Sequence, residues 1–387
     1  MHQKAKVVPK VNVNANQHAK MAEDMKQRLK VEELAENIDE LEDVVEDVFP
    51  LLMITVVISS LILIVFLIRM YLKYSVKNPS KNRMDDRTVL ITGGTSGLGK
   101  ATAVELAKKN AKVIITGRDL VKAEAIARNI RKKTGNQQVS AVQLDLGNLR
   151  NIREFAEDFN KSEKFLHVLI NNAAYLGPKS VTDDGLERTF AVNYLGHFYL
   201  THLLTDKLKK NAPSRIINVI SDSYVRGSID FDDLALNKGY NVYGAYSRSK
   251  LAQVLFMLEC HRRLFSSCVW SFGVHPGACN TELLRNYPGM TGNILRVISR
   301  VMFKPPDDGC QTIVYCAVSD GLRDFSGKIF VNCKALKPSD KVKDKEVARK
   351  LWATSAQLCG FEDDSPPEEV APKETAEAAS PEEKKEQ

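Results

Sequence analysis

Two residues that could move protons, Tyr246 and Lys250, lie four positions apart at the start of an apolar run that predicts a helix. Residues four apart on a helix share one face. A phenol ordinarily has a pKa near ~10, and a neighbouring ammonium lowers that pKa by favouring the phenolate. Such a pair suits proton transfer to a carbonyl or from an alcohol. Because the same spacing also occurs by chance on exposed helices, the assignment depends on the rest of the chain.

A glycine-rich segment, Thr92-Gly93-Gly94-Thr95-Ser96-Gly97-Leu98-Gly99-Lys100, follows the first predicted strand. Glycine lets a backbone turn tightly and come close to a ligand. The helix that begins at this segment would present free N–H groups and a partial positive charge to a pyrophosphate. Its place between a strand and a helix predicts a dinucleotide site.

The second predicted strand ends at Thr116-Gly117-Arg118-Asp119. An acidic residue at this point favours NAD through the ribose hydroxyl, whereas an arginine suits the 2′-phosphate of NADP. Asp119 fits the N-cap of the next helix better. We therefore predict NADP(H) as the cofactor, the alternative being that Arg118 is a solvent-facing loop residue.

Strands and helices alternate regularly after residue 85. This alternation predicts parallel strands joined by right-handed crossovers, with helices on both faces. The fold class is therefore α/β, a doubly wound, Rossmann-type, mostly seven-stranded parallel sheet. The predicted strands are residues 88–92, 112–116, 139–144, 167–171, 215–220, 269–274 and 327–331.

Residues 48–68 carry no charge and are almost wholly apolar. At about 1.5 Å per residue, such a helix crosses a hydrocarbon core of roughly 30 Å. We therefore expect a single transmembrane helix before the α/β domain. The predicted divisions are a polar and acidic tail (1–47), a transmembrane anchor (48–70), a basic linker (71–84), a catalytic domain (85–361) and a disordered tail (362–387).

The flanks of this apolar segment differ in charge. Residues 31–47 are acidic, lack Lys and Arg, and have apolar residues at helical spacing, which suits a short amphipathic helix or a solvated, partly disordered tail. The other flank carries basic residues, which favours a cytosolic location for the large domain. These residues are Arg69, Lys73, Lys77, Lys81, Arg83 and Arg87.

The composition argues against several other classes of protein. The 387 residues are 44% hydrophobic and 27% charged, as in an ordinary globular protein, and the net charge of +7 is spread along the chain. We see no nucleic-acid-binding motif and expect neither a nucleic-acid partner nor a metal site. The seven cysteines include no Cys-x-x-Cys pair, which indicates reduced thiols facing the cytosol.

The motifs together resemble the short-chain dehydrogenase/reductase family, and within it the membrane-anchored retinol dehydrogenase group. The resemblance covers about residues 87–361. It depends on the spacing of Gly93, Gly97 and Gly99, on Asn171-Asn172-Ala173-Ala174, on Tyr246 with Lys250, and on the segments 191–198, 275–277, 303–309, 326–328 and 351–352.

The resemblance implies a catalytic role for four residues. Tyr246 would be the proton donor in reduction or the base in oxidation, and Lys250 would lower its pKa and hold the nicotinamide ribose. Asn193 would support a water chain that resupplies the proton. Ser221 would orient the substrate oxygen, with Ser223 as the alternative at this position.

The resemblance also implies a set of cofactor-binding residues. Asp145 would receive the adenine amino group, while Pro276, Gly277 and Thr281 would hold the nicotinamide end. The full predicted set is Gly93, Thr95, Ser96, Gly97, Leu98, Gly99, Arg118, Asp145, Leu146, Asn172, Ala173, Tyr246, Lys250, Pro276, Gly277 and Thr281.

The segment 287–303 should cover the substrate. It has a broad apolar face, and two interpretations stay open: a core-packing helix, or a lid that dips into a membrane surface and admits a lipid-soluble substrate. The apolar residues are Ile294, Leu295, Val297, Ile298, Val301 and Met302, interrupted by Arg296 and Arg300.

The expected function is a membrane-anchored NADP(H)-dependent oxidoreductase that interconverts a lipophilic aldehyde or ketone and its alcohol. The resemblance implies retinal or a related aldehyde as substrate. We expect an intracellular membrane, the endoplasmic reticulum, and leave a homodimer as an open option. Steroids or other lipid carbonyls are the alternative within the enzyme class. A non-catalytic NADP(H)-binding scaffold is the alternative from another class.

Overall fold

The computed structural model describes residues 13–73 and 76–362. The chain divides into two compact units, with the boundary between Ile68 and Arg69. Residues 1–12 and nearly all of the tail predicted for 362–387 lie outside the described residues. Each unit is described by itself.

Helix α1 runs from Val13 to Lys73 and contains Pro50. The acidic residues 31–47 belong to this one helix, so the helical alternative predicted there is confirmed, although the helix is much longer than expected. Pro50 lacks an N–H, so one bond of the helical ladder is missing at this point, and the helix continues through it. The apolar residues that follow are exposed, and the helix is long and apolar enough to cross a membrane by length and composition.

The second unit is built on one eight-stranded sheet in the order β3-β2-β1-β4-β5-β6-β7-β8. Neighbouring strands from β3 to β7 are parallel. The doubly wound fold predicted from the alternation is confirmed. The strands are β1 (Thr88–Ile91), β2 (Lys112–Gly117), β3 (Val139–Gln143), β4 (Val168–Asn171), β5 (Ser214–Val219), β6 (Val269–Val274), β7 (Ile329–Val331) and β8 (Lys334–Leu336).

Strand β8 is absent from the sequence prediction. It pairs antiparallel with β7 after a turn at Asn332 and Cys333, which both have positive φ. Neither residue is a glycine, and three-residue strands give too short a pattern to recognise. The sheet therefore has one antiparallel edge strand in addition to the seven predicted parallel strands.

The helices cover both faces of the sheet. Two buried apolar clusters result, one on each side: Leu90 and Ile114 point into one, Val89 and Ile115 into the other. The helices are α2 (Gly97–Lys108), α3 (Leu120–Thr134), α4 (Leu149–Ser162), α5 (Arg188–Phe190), α6 (Gly196–Lys210), α7 (Val242–Leu264), α8 (Gly289–Met302), α9 (Pro306–Gly309), α10 (Gln311–Val318) and α11 (Lys345–Leu358).

A buried ion pair fixes the start of α7, which carries Tyr246 and Lys250. The Arg248 guanidinium lies 3.1 Å from the Glu187 carboxylate, and both side chains are almost fully buried. Glu187 also accepts hydrogen bonds from the first N–H groups of α5. This pair therefore ties α7 to the helical segment that leads into Asn193.

Candidate active site

A cavity of about 790 Å³ opens at the carboxyl ends of the parallel strands. Ligands in open α/β sheets bind at this edge. Nearly all the predicted site residues line it. They are Gly93, Thr95, Ser96, Gly97, Leu98, Arg118, Asp145, Leu146, Asn172, Ala173, Ser221, Tyr246, Lys250, Pro276, Gly277 and Thr281.

The glycine-rich turn has the conformation that its sequence predicts. Gly93 has φ +65° and Gly97 has φ +50°, both in the left-handed region that side chains disfavour. Gly99 does not line the cavity. A Cβ there would lie 2.5 Å from Asn172 Nδ2, so this glycine lets α2 pack against the loop after β4.

The Thr92 hydroxyl is the centre of a buried hydrogen-bond network below this turn. It accepts from the backbone N–H of Asn172 at 2.9 Å and of Ala173 at 3.0 Å. It also lies 2.8 Å from Nε2 of His197. The Asn172 amide returns a 2.8 Å bond to the Thr92 carbonyl. The glycine turn, the loop after β4 and helix α6 are thus held by one oxygen atom.

His197 has one consistent tautomer in this network. The Asn193 carbonyl can only accept, so the proton of the neutral ring is on Nδ1 and Nε2 is left to accept from the Thr92 hydroxyl, which also lies 3.3 Å from the Ile170 carbonyl. The protonated Nδ1 then donates to the Asn193 carbonyl at 3.0 Å. Burial lowers the pKa of His197 to about 4, so the imidazole is neutral at physiological pH.

Asn193 lies behind the cavity wall, in a π-helical turn between α5 and α6. Its side chain accepts from the Tyr175 N–H at 2.6 Å and donates to the Tyr175 carbonyl at 3.0 Å. A further bond of 2.9 Å reaches the Ser249 hydroxyl on α7. The side-chain amide therefore holds the loop after β4 against α7. The water-chain role implied for Asn193 stays a prediction.

Arg118 and Asp119 have different roles: Asp119 caps a helix, and Arg118 lines the cavity. The Asp119 carboxylate accepts from the Lys122 N–H at 3.0 Å and caps α3, which confirms the N-cap prediction. Arg118 lines the cavity with an exposed side chain. No partner for its guanidinium is found among residues 13–73 and 76–362, so the charge is available to an anion.

Tyr246 and Ser221 meet in the same part of the cavity. Burial raises the pKa of the Tyr246 phenol, and a hydrogen bond with Ser221 offsets part of that rise. Ser221 also begins the short helix after β5, where it accepts from the Ser223 N–H. The Ser223 hydroxyl is buried. This geometry favours Ser221 over Ser223 as the hydroxyl that faces a substrate.

Lys250 is buried, and its ammonium lies 5.5 Å from the centre of the Tyr246 ring. It donates to the Val219 carbonyl and to Gln253 Oε1, both at 2.8 Å. Burial lowers the pKa of Lys250 to about 7. In this structure burial raises the pKa of the Tyr246 phenol, and the ammonium of Lys250 is bonded to other oxygens. The pKa-lowering role implied for Lys250 stays a prediction.

The opposite wall is formed by residues after β3 and β6. Asp145 is held by a bond from the Gly147 N–H at 2.9 Å. Gly277 has φ +79°, and Thr281 packs against the glycine turn, 3.1 Å from where a Gly97 Cβ would lie. The cavity thus combines a tight glycine turn, the first turn of α2 and the Arg118 cation. These features fit a dinucleotide.

Sequence reasoning missed Thr92, His197, Tyr175 and Gln253. Gln253 had a local signal, since it lies one helical turn after Lys250 on α7, but an apolar run surrounds it. His197 had a weaker one, four residues after Asn193. The sequence alone does not predict that Gln253 bonds to Lys250 or that His197 contacts the Thr92 hydroxyl.

Comparison with known proteins identifies close relatives. The sequence model of the family described as short chain dehydrogenase matches residues 87–291. The chain is 45% identical over 302 residues to Retinol dehydrogenase 13 of Homo sapiens, covering 76% of this chain and 91% of the relative. It is 43% identical over 280 residues to Retinol dehydrogenase 11 of Homo sapiens, covering 72% and 87%. A crystal structure from Mycobacterium paratuberculosis superimposes with a TM-score of 0.59 at 32% identity, covering 75% of this chain and 99% of that one.

Replacing Thr92 with Val tests the buried network. The change keeps the side-chain shape but leaves two N–H groups and one imidazole nitrogen without their partner. We expect the free energy of unfolding to fall by at least about 2 kcal/mol, since each unsatisfied buried group costs about 1–3 kcal/mol. Thr92→Ser keeps the hydroxyl and is the matched control. Equal urea-unfolding curves for the two variants would contradict the proposed role of the oxygen.

Proposed function

Because this chain belongs to the short-chain dehydrogenase family and is an oxidoreductase of alcohol and carbonyl groups, we propose that it uses NADP(H) to interconvert a lipophilic aldehyde or ketone with its alcohol. Retinal and retinol are the proposed pair. The observation that carries the proposal is the meeting of Tyr246, Ser221 and Lys250 in the cavity that the dinucleotide-site residues also line.

The proton chemistry follows from the environment of Tyr246. Since burial raises its pKa, the phenol holds its proton at neutral pH and can donate it to a carbonyl oxygen. Ser221 donates a hydrogen bond to the same oxygen and so orients the substrate. The bound dinucleotide supplies a hydride. Lys250, with a pKa of about 7, lies behind the phenol and can exchange a proton at that pH.

The choice of NADP(H) is supported by the different roles of two neighbouring residues. A carboxylate that binds the ribose diol must be free to do so, and Asp119 is engaged by α3. The Arg118 guanidinium is the charge that the cavity presents at this position, and it suits a 2′-phosphate. With a reduced cofactor pool as the source, reduction of the carbonyl is the favoured direction.

The proposed membrane location is supported by α1 and by the charge of its flanks. The apolar part of α1 suits a membrane span, and the basic residues on its C-terminal side support a cytosolic catalytic domain. The Asn78 N–H donates to the Gln311 side chain of α10 at 3.1 Å, which fixes where the linker joins the domain. The membrane is proposed to be the endoplasmic reticulum.

Helix α8 presents an apolar stripe to solvent. The stripe residues fall within about 100° of arc on the helix surface, while Gly292 and Ser299 on the opposite side are buried. The stripe is Met290, Ile294, Val297, Ile298 and Val301, which are 43–78% exposed. This excludes core packing for the stripe and supports the membrane-dipping interpretation.

The occupant that we propose for this stripe is the bilayer in which α1 is anchored. The flanking segments 283–286 and 303–304 line the cavity, so α8 borders the substrate entrance. A stripe immersed at the interface would let a lipid-soluble aldehyde enter without crossing water. The names of the retinol dehydrogenase relatives support such a substrate.

Turnover by the purified full-length protein tests the function. We expect NADPH oxidation with all-trans-retinal at a higher kcat/KM than with steroids or medium-chain aldehydes. Tyr246→Phe should lower kcat by about 100-fold or more, the usual contribution of a positioned general acid, while NADPH still binds. Binding of NADPH without turnover of any compound would favour the scaffold alternative. A steroid optimum would replace retinal as the substrate.

Cofactor choice depends on Arg118. We expect Arg118→Ala to weaken NADPH binding by about 10-fold or more, since a hydrogen bond to a charged group contributes about 1.5–3 kcal/mol, and to leave NADH binding unchanged. Arg128→Ala on the exposed side of α3 is the control. Titration calorimetry measures both cofactors. A wild-type preference for NADH, or unchanged NADPH affinity in Arg118→Ala, would defeat the assignment.

The membrane role of α8 depends on its apolar stripe. The double variant Val297→Glu/Val301→Glu should lower activity on retinal in phospholipid vesicles by about 10-fold or more, because each valine kept out of lipid forfeits about 1.5 kcal/mol. Activity on a soluble aldehyde should be unchanged. Val121→Glu, at an exposed valine on α3, is the control. Equal losses on both substrates would indicate a structural role for α8.

A further inference from the structure

Lys304 is a buried cation in the wall of the cavity, between α8 and α9. It is 5% exposed and lines the cavity. The backbone N–H of Lys304 donates to the Ala278 carbonyl at 3.1 Å, and the backbone carbonyl of Lys304 accepts from the Asn280 N–H at 2.9 Å. These two bonds fix its backbone beside the loop that follows β6.

The side chain of Lys304 runs next to Gly277. A Cβ at Gly277 would lie 2.7 Å from both Cε and Nζ of Lys304, so the absence of a side chain there makes room for the ammonium. Lys304 therefore occupies space that the positive-φ glycine leaves open at the cavity wall.

The Lys304 ammonium has no hydrogen-bond or ion-pair partner within residues 13–73 and 76–362. Lys250, the other buried lysine of the cavity, donates to two oxygens. The Lys304 ammonium is not among the fully buried atoms that lack a partner, and the residue lines the cavity, so the ammonium faces the cavity space. The cavity therefore presents a cation, not engaged by a described residue, to a ligand that carries negative charge.

The neighbours of Lys304 indicate which part of a ligand it faces. Its segment pairs with the residues just before Thr281, and Thr281 touches the glycine turn at Gly97. A Cβ at Gly309, a few residues after Lys304, would lie 2.7 Å from the Leu98 side chain in the first turn of α2. The segment that carries Lys304 thus borders the first turn of α2, the end of that helix that favours a pyrophosphate.

We infer that Lys304 donates a hydrogen bond to the pyrophosphate of the bound dinucleotide and balances part of its charge. The inference rests on the proposed function, because it requires that a dinucleotide binds in this cavity. It assigns to Lys304 a cofactor-binding role separate from the 2′-phosphate role of Arg118.

Lys304→Met tests this inference with three ligands that contain successively larger parts of the cofactor. Adenosine 2′,5′-bisphosphate lacks the pyrophosphate linkage, 2′-phospho-ADP-ribose contains it without nicotinamide, and NADPH contains both. We expect the variant to bind NADPH and 2′-phospho-ADP-ribose about 10- to 100-fold more weakly, by the same factor, as loss of a charged hydrogen bond predicts. Binding of adenosine 2′,5′-bisphosphate should be unchanged. Titration calorimetry on the full-length protein gives all three affinities.

Lys161→Met, at an exposed lysine on α4, is the control and should match the wild type. Because Lys304→Met removes a cation that faces the cavity and pairs with none of the described residues, the Tm of the protein without ligand should be unchanged. A lower Tm would show a structural role and overturn the inference. A loss confined to NADPH would place the ammonium on the nicotinamide side and also overturn it. If the wild type binds no dinucleotide, the proposed function itself fails. If the wild type binds the dinucleotide and Lys304→Met binds it with the same affinity, the Lys304 assignment alone fails.

Discussion

The hydrogen bonds to the Thr92 hydroxyl are the constraint on which the rest of the site depends. This one oxygen accepts hydrogen bonds from two backbone N–H groups of the loop after β4 and contacts the imidazole of His197 on α6. It lies immediately before the glycine turn. A displacement of any one of these three elements would therefore leave a buried polar group unpaired, which makes their relative positions mutually dependent.

The cavity gathers positive charge around a space suited to phosphates. Arg118 at the end of β2, Lys304 after α8 and the first turn of α2 surround it, while Lys250 lies deeper and is bonded to protein oxygens. Burial affects the titratable groups in opposite ways: the phenol of Tyr246 keeps its proton more firmly, and the amine of Lys250 loses its proton more easily. Burial therefore makes Tyr246 a proton donor at neutral pH and brings the pKa of Lys250 close to neutral pH.

The fold was largely predictable because its signals are local. Each parallel strand is a short apolar run bounded by turn residues, and the alternation with helices implies the doubly wound sheet. The same reasoning failed for β8, which is three residues long. For residues 31–47 the apolar spacing predicted the helix but not its length, because the chain continues as one helix from Val13 to Lys73.

The sequence by itself determined the family, the class of reaction and the residues able to perform it, because the glycine spacing and the Tyr246–Lys250 pair are local patterns with specific chemical uses. Only the tertiary structure decided how those residues are held. The bonds from Asn193 to Tyr175 and Ser249, the contact of His197 with Thr92, and the place of Lys304 in the cavity wall depend on contacts between residues far apart in the chain. The burial of Tyr246, which keeps its phenol protonated, is likewise a property of the packed domain. The same holds for the exposure of the α8 stripe, which no single segment determines.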